Sequence, residues 1–420
     1  MSLSKYIIVG SGHAGLSALE AIRIQDTEGT VTLISREEVL PYSPTILPYV
    51  VSGQVDPEQI FLLDEGSLDR LGVSFKRGAK AAAVDAAVHT VTLETGETLE
   101  YEKLLLATGA SPALPSIAGL GEVPYHVLRT LEDAMHLRDA LQQARSAIVL
   151  GAGLIGMHAA ENLAKGGVQV TVVEALPQVL PGYFDEQAAA LIQQVFTEEG
   201  IKVITGNTVA QVATAEGTCV VSLESGSNLS ADLLLVAAGV RPRIEYLAES
   251  GVEVDRGIVV DDTMRTSTTG IWAAGDVAQA RGFFDPAKTM NATLANAVEQ
   301  GRIAGMDMVS DSALRPYAGG IASNAYQFFG HQAFSVGLTK VPRSADGMEV
   351  DQVFLPTSLQ YQKLVFQNDR LVGVSCINTL LDPGIMYQLI RRRVDLKEFK
   401  ARFAASPLEM GRIVMSKIWQ

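Results

Sequence analysis

Cysteine is nearly absent. Among 420 residues there are two, Cys219 and Cys376, 157 positions apart. The chain therefore has no CxxC or CxxxxC redox pair and no thiol set for a zinc site or an iron–sulfur cluster. Both cysteines read as small buried apolar residues. The six histidines form no HxxxH or HExxH arrangement, so no catalytic metal is expected. Long apolar runs are also missing. Stretches such as Leu233 to Val240 fall far below the roughly 20 residues that a membrane helix needs. Met-Ser-Leu-Ser-Lys leads straight into an apolar strand without the features of a secretory signal, which predicts a cytoplasmic protein. Positive charge is scarce, with 33 Lys+Arg against 47 Asp+Glu and a net charge of −14. That balance argues against nucleic acid as a partner, because neutralising phosphates needs a basic surface. The deficit is uneven: residues 310–420 carry 13 Lys+Arg against 9 Asp+Glu, while the other 309 carry 20 against 38.

Apolar residues and repeated architecture are what the chain does have. Hydrophobic residues make up 47%, enough for full cores in two to four domains. A strand Tyr6 to Val9, a helix Ala14 to Ile24 and a strand Thr30 to Ile34 form a βαβ unit, which closes with the strand Lys103 to Ala107. From Ala147 the grammar repeats with strand Ala147 to Leu150, helix Leu154 to Lys165, strand Gln169 to Val173 and strand Leu233 to Ala237. A helix-like run, Leu294 to Met308, comes next. Short strands in 310–420 then alternate with turn signals such as Asn368-Asp369 and precede a helical end. The predicted fold is α/β, with two Rossmann-like domains and a C-terminal α+β domain. Its first domain is discontinuous, covering 1–115 and 246–309; the second covers 116–245 and the third 310–420.

Each repeat carries GxGxxG between a strand and a helix: Gly10-Ser-Gly12-His-Ala-Gly15 and Gly151-Ala-Gly153-Leu-Ile-Gly156. The first glycine turns the chain, the second admits a pyrophosphate to the backbone, and the third lets helix and strand pack closely; the helix N-terminus supplies donors. One such match is weak, but two in the right context point to two dinucleotides. The two units differ at the end of their second strands. Glu174 ends that strand in the second unit, 23 positions after Gly151, where a carboxylate can accept from the ribose hydroxyls of NAD. No Lys or Arg lies in 175–181 to receive a 2′-phosphate, so NADH is favoured over NADPH. The equivalent position in the first unit is Ser35, with Arg36 next to it, which fits a different adenine dinucleotide.

Together with Leu106-Ala-Thr-Gly-Ala110, Leu235-Val-Ala-Ala-Gly-Val-Arg-Pro242 and Thr269-Gly-Ile-Trp-Ala-Ala-Gly-Asp276, these loops resemble the FAD- and NAD(P)-dependent flavoprotein reductases with two dinucleotide-binding domains. The resemblance implies that FAD is held by Gly10, Ser11, Gly12, Ala14, Gly15, Ser35, Arg36, Ala107, Thr108, Gly109, Gly275, Asp276 and Ala297, with Asp276 on the ribityl chain. It implies that NAD is held by Gly151, Gly153, Leu154, Ile155, Gly156, Glu174 and Gly239. Many relatives relay electrons through cysteine near the flavin. The matching Leu40-Pro-Tyr-Ser-Pro-Thr-Ile-Leu-Pro48 has none and is more similar to the segment of rubredoxin reductases and NADH-dependent nitrite reductases.

Disulfide reduction and cysteine-based peroxide chemistry therefore fall away. What the resemblance implies is an FAD-dependent NAD(H) oxidoreductase exchanging electrons with a ferredoxin-like iron–sulfur protein, as the flavoprotein subunit of a hetero-oligomeric 2-oxoacid (phenylglyoxylate-type) dehydrogenase. Alternatives are a free-standing NADH:ferredoxin, rubredoxin or nitrite-type reductase, and a slow-turnover flavoprotein that senses NADH. The basic residues Arg391-Arg-Arg393, Lys397, Lys400 and Arg402 offer an acidic partner a steering surface, with a solvated helix face as the plainer reading. Phe399, Phe403, Ile413, Met415 and Trp419, interleaved with them, raise a membrane surface as the least favoured option. In relatives a glutamate stands two residues after the third glycine of the NAD loop; here it is His158, expected in the first helical turn, either packing or donating to the nicotinamide carboxamide.

Overall fold

The computed structural model describes residues 3–341 and 347–418. The chain divides into two compact units, one comprising Met1–Pro44, Pro57–Ser111 and Val240–Ile321, the other Thr45–Asp56, Pro112–Gly239 and Ala322–Gln420. The fold is mixed α/β with two parallel, Rossmann-like sheets.

The sheet of the first unit is built around a parallel core. Its strands run in the order Val73–Lys76, Val31–Ile34, Leu3–Val9 and Thr98–Leu106, and Ile271–Ala273 also pairs in parallel with Thr98–Leu106. Thr90–Leu93 and Ala81–Asp85 continue from Thr98–Leu106 as antiparallel strands. The central strands are apolar on both faces: Ile7, Ile8, Leu33, Leu104, Leu105 and Leu106 are all fully buried, as a sheet covered on both sides requires. Helix His13–Gln25 crosses from the first strand to the second, and helix Leu294–Met308 packs against it. Gly301 and Gly305 make that contact possible, since a Cβ on either would strike the backbone oxygen of Ala14 or Ala18.

The second unit has a four-stranded parallel sheet in the order Lys202–Ile204, Gln169–Val173, Ser146–Leu150 and Leu233–Val236. Helix Leu154–Lys165 connects its first two strands in sequence. The C-terminal part is a five-stranded antiparallel sheet, ordered Ser323–Phe328, His331–Gly337, Arg370–Ile377, Gln360–Gln367 and Glu349–Leu355, followed by helices Pro383–Arg391, Lys400–Ala405 and Pro407–Ile418. Asn368 and Asp369, both with positive φ (50° and 58°), turn Gln360–Gln367 back onto Arg370–Ile377, which is the geometry that a two-residue hairpin demands.

A partly buried ion pair joins the two parts of this unit. Lys363, 4% exposed, extends from the antiparallel sheet to Asp185 at 2.8 Å. Asp185 also accepts the Tyr361 hydroxyl at 2.5 Å and caps helix Glu186–Glu198 through Ala188 N–H. Glu161 makes a second join, taking Phe329 N–H at 2.8 Å and Lys165 Nζ at 2.7 Å.

Candidate functional site

The first glycine loop begins where strand Leu3–Val9 ends. Gly10 has φ +120°, and a Cβ there would lie 2.1 Å from Ala107 O; a Cβ on Gly15 would lie 1.9 Å from Gly10 O. Neither position accepts a side chain. A Cβ on Gly12, by contrast, meets nothing within 4 Å. Gly12 is also the N-cap of His13–Gln25 and offers no capping side chain, so the helix N-terminus opens onto free space of the kind a phosphate occupies. Ala107 and Thr108 border the loop, with Gly109 next in sequence. Gly275 adjoins it as well, since a Cβ there would lie 3.0 Å from the Ala14 Cβ and 3.7 Å from the Ala297 Cβ. The fold thus gathers Gly10, Gly12, Ala14, Gly15, Ala107, Gly275 and Ala297 at one end of the parallel strands, with Ser11 and Asp276 beside them in sequence. Ser35 closes the neighbouring strand and is buried, but its hydroxyl accepts Glu37 N–H at 3.2 Å within a local turn; Arg36 is exposed.

Three further residues in this unit support the loop, although the sequence reading gave them no role of their own. His13, the first residue of the helix, shares a 2.9 Å hydrogen bond between Nε2 and Ser43 Oγ. Burial lowers its pKa by more than the Asp276 carboxylate raises it, so its ring is neutral at pH 7. Arg243 clasps the Thr108 turn, donating from Nη1 to Thr108 O at 2.9 Å and from Nε to Ser111 Oγ at 2.7 Å. Gln300 accepts the Gly275 N–H at 2.9 Å.

The second loop repeats the construction. Gly151 has φ +105° and a Cβ there would lie 2.4 Å from Ala237 O, a Cβ on Gly156 would lie 2.0 Å from Gly151 O, and Gly153 faces open space. Glu174, 9% exposed, reaches back beneath the loop. Its Oε2 accepts Ala152 N–H at 2.7 Å and its Oε1 accepts Leu176 N–H at 2.9 Å. The carboxylate is thereby fixed in place with lone pairs to spare. Leu154 and Ile155 open the helix, and Ile155 and Gly239 are exposed.

His158 is the fifth residue of helix Leu154–Lys165. It therefore begins the second turn, not the first, because the helix starts only after its Gly153 cap. Its ring lies 4.7 Å from that of Tyr326 and 6.4 Å from that of Tyr49, centroid to centroid. Among the described residues, Nε2 is buried without a hydrogen-bond partner. Burial is the chief cause of its lowered pKa. The ring borders a polar cavity of about 250 Å³ together with Gln54, Glu161, Lys165, Gln327 and His331.

The C-terminal residues proposed for partner contact are partly committed elsewhere. Lys400 bonds to Asp369 at 2.9 Å and to Glu349. Phe403 and Met415 are buried in the core and so are not offered to a membrane surface; Trp419 lies outside the described residues. Among those residues, no helix is long and apolar enough to cross a membrane, and no His/Cys/Asp/Glu group is placed to hold a metal ion.

Two glycine-loop nucleotide folds, each with its helix N-terminus clear of side chains, define a two-dinucleotide oxidoreductase. The chain belongs to the pyridine nucleotide-disulphide oxidoreductase family, whose model matches residues 4–301. It is 49% identical over 418 residues to "NADH-dependent phenylglyoxylate dehydrogenase subunit epsilon" of Aromatoleum evansii, covering 99% of this chain and 98% of that protein. It is 35% identical over 316 residues to "Rubredoxin-NAD(+) reductase" of Pseudomonas putida, covering 74% and 81%. Its fold matches the crystal structure of a covalent putidaredoxin reductase–putidaredoxin complex with a TM-score of 0.85, at 24% identity, over 97% of this chain and 99% of that one. The protein is an FAD-containing, NAD(H)-dependent oxidoreductase. The disulphide of the family name has no counterpart here. Cys219 and Cys376 are free and buried, and burial pushes the Cys376 thiol up to about 12, so neither supplies a thiolate.

Proposed function

We propose that this chain is the flavoprotein subunit of a multi-subunit dehydrogenase that oxidises a 2-oxoacid of the phenylglyoxylate type and reduces NAD, receiving its electrons from an iron–sulfur protein or subunit. The observation that carries this reading is the 49% identity to the phenylglyoxylate dehydrogenase epsilon subunit across nearly the full length of both chains. Composition supports it: with two cysteines, both buried, the chain holds neither a thiol relay nor clusters of its own. The FAD-binding domain comprises 1–115 and 246–309, the NAD-binding domain 116–245, and the interface domain 310–420.

FAD supplies the exchange of a two-electron hydride for single electrons. The chain's part is to hold and orient. The backbone at Gly10, Ser11, Gly12 and Gly15 and the helix behind it receive the FAD pyrophosphate; Ser35 and Arg36 lie toward the adenosine end; Thr108, Gly109, Asp276 and Ala297 face the ribityl–flavin portion. Gly151, Gly153, Leu154, Ile155, Gly156 and Gly239 receive NAD, and the pinned Glu174 carboxylate takes the adenosine ribose hydroxyls.

Native purification with iron analysis tests the complex. A protein that migrates alone and free of iron would reject the subunit reading and favour a free-standing reductase, to which the rubredoxin reductase relative points. Anaerobic stopped-flow mixing with NADH tests turnover. Flavin reduction taking minutes would favour a sensor over an enzyme.

A further inference from the structure

A run of buried polar side chains crosses the first unit behind Gly275. Gly275 N–H donates to Gln300 Oε1 at 2.9 Å, Gln300 Nε2 donates to the Tyr317 hydroxyl at 3.4 Å, Tyr317 donates to Asn296 Oδ1 at 3.2 Å, and Asn296 Nδ2 donates to Thr293 Oγ1 at 2.8 Å. Gln300, Tyr317 and Asn296 are 3%, 1% and 1% exposed. Every link runs in the same donor-to-acceptor sense, so each polarises the next. The two ends are informative. One is the turn that presents Asp276. The other is Thr293, the N-cap of helix Leu294–Met308, whose first turn carries Ala297.

Burying three uncharged polar side chains in an otherwise apolar core is costly unless each is paired. An apolar contact between the helix and the turn would pack as well, and Gly275 already sits close to Ala297. What the polar run adds is a fixed geometry. Gln300 fixes the Ala274–Gly275 peptide plane at the start of the turn that carries Asp276, and Asn296 ties the helix cap both to Asn291 O at 3.3 Å and, through Tyr317, to the same turn. Tyr317 is itself anchored by its backbone N–H, which donates to Asp262 O at 2.7 Å.

We propose that Gln300, Tyr317 and Asn296 are positioning residues for the flavin: they hold the Gly275-Asp276 turn and the first turn of helix Leu294–Met308 in one register, so that both meet the cofactor at once. This rests on the reading that Asp276 and Ala297 face FAD.

The test uses the full chain in its native assembly, stripped of flavin and titrated with FAD, with the flavin midpoint potential and visible spectrum recorded alongside the melting temperature of the flavin-free protein. Gln300→Leu leaves the partly buried Gly275 N–H without its partner, and FAD binding should weaken about tenfold with a shifted spectrum and potential. Tyr317→Phe should weaken it about threefold. Gln300→Glu restores the acceptor and should bind within about threefold of the parent, and these two variants carry the test if Gln300→Leu does not fold. A purely structural role would lower the melting temperature and leave affinity, spectrum and potential at parent values; that result overturns the proposal. Asp276→Ala separates the two failures. If it keeps parent-like FAD, the site reading falls and this inference with it; if it loses FAD while the Gln300 and Tyr317 variants bind like the parent, only the positioning role is lost.

Discussion

Replacing Glu174 tests whether the second loop binds the adenosine half of NAD. Its carboxylate offers about four acceptor sites; Ala152 N–H and Leu176 N–H take one on each oxygen. One site per oxygen remains, which matches the two hydroxyls of a ribose. Hydrogen bonds to a charged acceptor contribute about 1.5–3 kcal/mol each. Losing even one therefore weakens NADH by about 10- to 150-fold. Glu174→Gln keeps one acceptor and should fall near the lower figure; Glu174→Ala loses both. Glu174→Arg adds a cation suited to a 2′-phosphate, so it should also shift preference toward NADPH. The assay is titration calorimetry with NAD, ADP-ribose and nicotinamide mononucleotide. NAD and ADP-ribose should lose affinity by the same factor, and nicotinamide mononucleotide should lose none, because the lost contacts lie at the adenosine end. Glu174 also holds its own loop, and freeing two nearly buried N–H groups will lower stability; a collapsed loop would weaken all three ligands together. A folded Glu174→Ala protein that binds NADH within threefold of the parent would refute the assignment.

Asp276→Ala should purify flavin-poor, with FAD weakened about 10- to 100-fold if a charge-assisted bond is lost; a normally yellow preparation would count against its ribityl role. Lys363→Met strips the cation from the 20%-exposed Asp185 carboxylate inside the second unit and should cost about 1.5–3 kcal/mol in urea unfolding, whereas a loss under 1 kcal/mol would mean that water and the remaining Tyr361 and Ala188 donors satisfy that carboxylate. Asp26 is held well below the usual carboxylate range, first by Lys5, then by Gly29 N–H and the Tyr6 hydroxyl. Its folded pKa lies below its unfolded one, so its contribution is complete above about pH 4 and disappears as the pH falls further. Asp26→Asn should flatten the acid limb of the melting temperature between about pH 4 and pH 2, and an unaltered limb would contradict the assignment.

The two nucleotide folds were legible because their signals are local. A glycine that must adopt positive φ and a third glycine that must touch the first loop residue are steric requirements, and they appear in sequence as letters at fixed spacing. Helices Leu154–Lys165 and Leu294–Met308 matched their sequence readings to the residue for the same reason: each begins at a cap and ends where periodicity stops. Long-range pairings left no such trace. Nothing near Lys363 points to Asp185, 178 positions away, and nothing around Tyr317 marks it as the bridge between Gln300 and Asn296.

His158 shows where local reasoning stops. A departure from a family motif identifies a position but not its surroundings, and those come from Tyr49 and Tyr326, over 100 residues away on either side. Once they are known, the question changes. Nε2 of this imidazole is buried without a partner, while the ring also makes a hydrogen bond with the Gln327 backbone; phenylalanine removes the unsatisfied nitrogen and keeps a ring against Tyr326, but it gives up that bond. The two changes oppose each other, so His158→Phe should melt within a few degrees of the parent in thermal denaturation followed by circular dichroism. A drop of more than about 5 °C, which in a chain this large means a loss of well over 1 kcal/mol, would mean that the polar contacts of the ring outweigh its unsatisfied nitrogen. His158→Glu should melt clearly lower. It sets a second carboxylate one helical turn from Glu161, whose 5% exposure leaves little water to screen the pair. If instead His158→Glu is as stable as the parent and binds nicotinamide more tightly, the site accepts the acidic residue of the relatives, and the histidine is a local replacement without a structural reason.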